Sequence, residues 1–169
     1  TTLIRTREKQ LYDESQRIYE QEMVFETPEY ILNRRFQATA EGILNLHTKI
    51  RNYGDWRLPG MIIRPGNETF IEEMVPLDPL YVVDTMPELL TPSVSKFTPE
   101  YQRRLRTYVV NDYRDSEPLH ELPDNQFGFI FAYNYFNYKP IEVIKRYLKE
   151  IFGKLRPGGM FMFTFNDCD

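Results

Sequence analysis

Cysteine is all but missing from this chain. Cys168 is the only one among 169 residues, which excludes an intrachain disulfide and a cysteine zinc cluster and points to a reducing compartment. Histidine is almost as scarce. His47 and His120 stand far apart, with no second His or paired carboxylate at metal spacing, so no metal is expected and each reads as a satisfied or surface histidine. The same scarcity leaves no Ser-His-Asp or Cys-His set for nucleophilic catalysis. Long apolar runs are missing too: nothing approaches the ~20 residues that cross a bilayer, and the charged start lacks the apolar core of a signal peptide. A soluble cytoplasmic protein, or one built into a large intracellular assembly, is the expectation. There is no basic excess, since the net charge is −4 and the pI near 5.3, so bulk charge does not indicate a nucleic-acid partner.

What the chain has in quantity is apolar and aromatic surface, at 41% and 15% of residues with 12 Tyr and 12 Phe. That supply, at this length, builds one good core plus an appendage.

The clearest pattern lies near the end. Phe127 to Tyr133 is an apolar, aromatic-rich run of strand length, introduced by turn residues Asp124 and Asn125. From Ile141 the period changes, and Ile144, Tyr147, Leu148, Ile151, Phe152 and Leu155 fall on one face of a helix. Pro140 suits its first turn and Lys154 and Arg156 its last, while Pro157, Gly158 and Gly159 stop it. Met160 to Phe165 is a second apolar run. Strand, helix and strand make a βαβ unit, expected in a parallel sheet with a right-handed crossover.

Upstream, residues 3–23 contain no Gly or Pro and read as a helix. Its apolar stripe, Ile4, Leu11 and Ile18 with Tyr12 and Tyr19 alongside, is narrow, which suits either a helix packed along its own domain or one that docks to a partner. Thr27-Pro28-Glu29 opens a further helix, expected to run to about Arg51, to bury Ile31, Ala38, Ile43, Leu44, Leu46 and Ile50, and to end at Gly54. Thr98-Pro99-Glu100 repeats the same capping chemistry. Residues 1–56 are therefore expected as an all-helical N-terminal extension, and residues 57–169 as an α/β domain. Residues 61–84 should hold a first strand, a loop, a short helix and a second strand. Arg106–Asn111 reads as the third strand.

Three stretches carry a family resemblance. Leu122-Pro123-Asp124-Asn125-Gln126-Phe127, Leu155-Arg156-Pro157-Gly158-Gly159 and Tyr81-Val82-Val83-Asp84-Thr85-Met86-Pro87-Glu88-Leu89-Leu90 resemble the segments around the fourth, fifth and second strands of class I S-adenosylmethionine (SAM) dependent methyltransferases. The resemblance implies a Rossmann-like parallel sheet with flanking helices, SAM as cofactor, and transfer of a methyl group to an acceptor that the sequence does not name. It implies a cofactor site of Asp84 and Thr85 at the ribose, Asp112 at the adenine amino group, Tyr133, and the loop of Arg64, Gly66, Asn67 and Glu68 at the methionine end. It places Asn134 and Tyr135 at the substrate entrance. No metal and no catalytic base are implied.

The residues themselves leave alternatives open. Asp84 serves equally as a cap for the Pro-Glu turn behind it, Asp112 as an ordinary loop aspartate, and the aromatics near Tyr135 as packing for the next helix. The loop also departs from the family: Ile62 stands for the strand-end acid, Arg64 for the first glycine and Glu68 for the third. A side chain at such a position costs roughly 1 kcal/mol where φ is positive, and Glu68 would repel the methionine carboxylate. Two functions follow. One is a SAM-dependent methyltransferase with an altered loop; the other is an inactive methyltransferase-like structural or interaction module in a larger assembly such as a virion. The apolar Met160–Phe165 strand, expected at a sheet edge, calls for a protein partner or further chain to cover it.

Overall fold

The computed structural model describes residues 4–7, 9–10, 13–14, 17, 27–35, 40–54, 57–112 and 115–165. Five parallel strands form one sheet in the order β3-β2-β1-β4-β5. They are β1 (Gly60–Ile63), β2 (Leu80–Asp84), β3 (Leu105–Val109), β4 (Phe127–Ala132) and β5 (Leu155–Phe163). The helices are α1 (Pro28–Arg35), α2 (Ala40–Tyr53), α3 (Thr69–Glu73), α4 (Pro87–Ser95), α5 (Pro99–Gln102) and α6 (Ile141–Lys154). This is the expected α/β architecture, a parallel sheet with helices on its faces.

The central strands are apolar along their length because both faces are covered. On one face Ile62, Val82, Phe129 and Phe131 pack with Phe70 of α3, Leu90 of α4 and Ile50 of α2. On the other, Met61, Ile63, Val83, Ile130 and Ala132 pack with Val143, Tyr147 and Ile151 of α6. Ile63 is in register with both Val83 and Ala132. The carboxyl ends of β1, β2 and β4 thus finish level, at the place where the strand order reverses.

Several expectations need correction. The buried face of α6 is Val143, Tyr147 and Ile151, while Leu148 and Phe152 point to solvent, Phe152 being 83% exposed. A stripe four residues apart covers only one side of a helix, and residues one position on lie about 100° round it. Leu44 on α2 is exposed for the same reason. β3 runs Leu105–Val109, ending earlier than the apolar letters suggest. Thr98 caps only the single turn α5, its Oγ1 accepting from Tyr101 N–H at 3.4 Å.

β5 begins at Leu155, directly after α6, so Pro157-Gly158-Gly159 lies within the strand's span. Leu155 pairs with Phe127 and Met160 with Phe129, and the residues between form an irregularity in the pairing. Gly158 there has φ +79°, and a Cβ on Gly159 would stand 2.5 Å from the Phe127 carbonyl oxygen. The glycines are needed for a tight bulge against β4.

Residues 4–7 are helical, as are the described positions among 9–17. Leu11, Tyr12, Ile18 and Tyr19 of the heptad stripe, and Ala38, lie outside the described residues. α2 continues to Tyr53, and Gly54 donates its N–H to the Ile50 carbonyl at 2.9 Å. No helix among the described residues is long and apolar enough to cross a membrane.

Candidate functional site

Arg64 follows β1 in a left-handed conformation, φ +49°. Its backbone N–H donates to the Val83 carbonyl at 2.7 Å, so the residue's base is held by the continuing ladder. From there the side chain turns into the crevice at the strand ends. Nε donates to Asp84 Oδ1 at 3.2 Å and Nη2 to Thr85 Oγ1 at 2.5 Å. Cζ lies 4.9 Å from the centroid of the Tyr135 ring, a cation–π approach. Arg64 is 3% exposed and Asp84 has no exposed surface.

Asp84 does two jobs at once. Besides the guanidinium, its Oδ1 accepts the backbone N–H groups of Thr85 at 2.7 Å and Met86 at 3.2 Å, an Asx-turn that leads into α4, whose N-cap is Met86 and has no side-chain cap. Its Oδ2 is buried without a hydrogen-bond partner among the described residues.

A second buried carboxylate stands beyond the end of β3. Asp112 Oδ2 accepts from the Tyr135 hydroxyl and, at 3.3 Å, from the Tyr147 hydroxyl; Lys139 Nζ lies 3.3 Å away. The two phenols are 3.0 Å apart. Burial, and next the charge of Asp112, push both tyrosines well above the ordinary phenol range, so neither ionises near neutral pH. Lys139 Nζ is also 4.8 Å from the Tyr135 ring centroid. One aromatic ring therefore has two cations against it, each paired with a different buried aspartate.

The remaining candidates face elsewhere. Gly66 is buried with φ +77°, the conformation that favours glycine. Asn67 Oδ1 accepts the Thr69 N–H at 3.0 Å, which closes the turn into α3. Glu68 is held by Lys96 Nζ at 2.6 Å, and that hydrogen bond keeps its carboxyl below the usual range. Tyr133 packs edge-on against Phe70, centroids 5.2 Å apart, in the core on the α3 side. Asn134, with φ +49°, donates its N–H to Thr164 Oγ1 at 2.7 Å and so ties the end of β4 to the end of β5. The structure thus brings Arg64, Asp84, Thr85, Asp112 and Tyr135 together, while Asn67, Glu68, Tyr133 and Asn134 serve the surrounding loops and core.

Sequence reasoning passed over Lys139 and Tyr147. Tyr147 had a readable signal, because a phenol on the buried face of a helix needs a partner for its hydroxyl. Lys139, next to Pro140 in an irregular turn, had none. His47 bonds Glu73 Oε1 at 3.1 Å, and His120 bonds the Glu117 carbonyl at 2.8 Å. Among the described residues no group of three His, Cys, Asp or Glu could hold a metal ion. A separate cleft of about 660 Å³ opens at the opposite end of the sheet, lined by Glu117, His120, Asp124, Arg146, Lys149 and Glu150 among others.

A parallel sheet whose loops meet in a crevice at the carboxyl ends, where the strand order reverses, defines a doubly wound domain of the kind that binds nucleotide-like ligands. The sequence profile of the family described as a methyltransferase domain matches residues 66–163, more than half of the chain, and the chain belongs to that family. No curated protein sequence matches it.

Solved structures with the same fold include the glycopeptide N-methyltransferase MtfA, at 12% identity and TM-score 0.56, covering 76% of this chain and 54% of that one. DhpI in complex with SAM and HEP is similar at 13% identity and TM-score 0.60, over 90% and 64% of the two chains. The N-methyltransferase NodS from Bradyrhizobium japonicum is similar at 15% and 0.58, over 73% and 68%. The chain thus spans about half of MtfA and under two-thirds of DhpI.

SAM is the cofactor this family implies. The residues as arranged do not fit it. Asp84, which the family resemblance assigns to the ribose, has its Oδ1 taken by the guanidinium and two backbone N–H groups and has no exposed surface.

Proposed function

We propose that this chain is a methyltransferase-fold domain that does not transfer methyl groups and serves as a structural or interaction module in a larger assembly. The observation that carries the reading is the buried pair of Arg64 and Asp84, with Nε and Oδ1 3.2 Å apart: the acid that the family resemblance assigns to the ribose already has a cation of its own chain. A partner or further chain pairing with β5, an edge strand of the described sheet, belongs to the same proposal.

A second reading, a working SAM-dependent methyltransferase, is supported by membership of the family and by Asp84 Oδ2, a buried acceptor without a donor among the described residues. Calorimetric titration of S-adenosylhomocysteine into the protein and into Asp84→Asn separates the two. No heat of binding at millimolar ligand is the expected result. Binding to wild type that is lost in Asp84→Asn would count against the first reading and support the second.

A further inference from the structure

We infer that the Arg64 guanidinium is an intramolecular ligand: it is the resident occupant of a cation site built by Asp84, Thr85 and the ring of Tyr135. The inference rests on the proposed function and deepens it by naming what the crevice now recognises, a small planar cation rather than a nucleoside.

Three features distinguish such a site from a chance ion pair. The guanidinium is matched on several sides, with a carboxylate at Nε, a hydroxyl at Nη2 and an aromatic ring against Cζ, and this combination suits a planar, delocalised, weakly hydrated cation better than an ammonium. The ring is itself fixed, because the Tyr135 hydroxyl is bonded to Asp112 and lies 3.0 Å from that of Tyr147, and Lys139 neutralises Asp112. Finally, the chain reaches the site through a positive φ at a residue with a side chain, a conformation that costs free energy and persists when the surroundings enforce it.

Charge accounting gives the consequence. Arg64 and Lys139 balance Asp84 and Asp112 inside the crevice, and truncating Arg64 leaves a buried carboxylate uncompensated. The space vacated is bordered by that carboxylate, a hydroxyl and a ring, the acceptor set for an added guanidinium.

The test is cavity rescue. Arg64→Ala is expected to lower the thermal unfolding midpoint by roughly 10 °C. Ethylguanidinium at millimolar concentration is expected to raise the midpoint of this variant saturably and to leave wild type unchanged. The neutral isostere N-ethylurea is expected to have no effect on either. A variant as stable as wild type, no rescue, or equal rescue by the urea would overturn the inference. Should Arg64→Ala fail to fold, Arg64→Lys keeps the charge and loses the planar fork: a midpoint well below wild type supports the site, and one equal to wild type overturns it. Titrating S-adenosylhomocysteine into wild type keeps the two proposals apart. Binding there overturns the proposed function whatever ethylguanidinium does, and failed rescue overturns the intramolecular site whatever the nucleoside does.

Discussion

Arg64 stands where the family resemblance expects a glycine, and its consequences are set by burial. In water an arginine beside an aspartate contributes little; with the pair withdrawn from solvent, removing one partner strands the other. Arg64→Met alone is therefore expected to cost about 3–5 kcal/mol in urea unfolding. Adding Asp84→Asn removes the stranded charge and leaves an amide oxygen to accept the Thr85 and Met86 N–H groups, so the double variant is expected to recover most of that loss. A double-mutant cycle checks this, and simple additivity of the two single changes would contradict it. Tyr135→Phe deletes one donor to the buried Asp112 carboxylate and is expected to cost about 1–3 kcal/mol in the same measurement.

At the scale of elements, two glycines at either end of one connection make opposite predictions. Gly153 lies in the last turn of α6 with nothing within 4 Å of an added Cβ, so Gly153→Ala is expected to stabilise by about 0.5–1 kcal/mol through helix propensity. Gly159 sits in the β5 bulge with the Phe127 carbonyl oxygen 2.5 Å from an added Cβ, so Gly159→Ala is expected to destabilise by at least about 1–3 kcal/mol. Chemical denaturation of the pair tests both. The α2–α3 junction adds a pH dependence. Glu73 bonds Arg51 and His47, and the Arg51 hydrogen bond above all holds its carboxyl below the usual range. A carboxylate whose folded pKa is depressed stabilises above its unfolded pKa, and that contribution is lost as pH falls through the folded value. Stability measured from neutral into acid should thus fall less steeply in Glu73→Gln than in wild type.

For the molecule as a whole, β5 is the edge to watch. It is the last strand of the sheet order, it offers backbone groups on one side, and Met160 and Phe165 are exposed there. Concentration-dependent association of the isolated chain is expected in sedimentation experiments, and Met160→Lys, which places a charge on the edge, should weaken it. A monomer at all concentrations would show that the edge needs no cover.

Element identity was legible in the residues wherever local chemistry decides it. The apolar run at Phe127 and the period change at Ile141 announced a βαβ unit, because periodicity acts over a few neighbouring residues, although α6 ends at Lys154 and Pro157-Gly158-Gly159 lies inside β5 rather than ending the helix. The strand and turn that carry Asp84 were legible through the resemblance of Tyr81–Leu90 to the family. The substitution of Arg64 into the loop was legible in the same way. Its partner was not. Arg64 and Asp84 are twenty positions apart, and Asp112, Tyr135, Lys139 and Tyr147 join them only because parallel pairing in the order β3-β2-β1-β4-β5 brings the strand ends to one crevice. Whether Asp84 would hold a ligand or its own arginine depended on long-range burial, which converts a pair of modest worth in water into one that cannot be broken cheaply, and burial is decided by the tertiary structure alone.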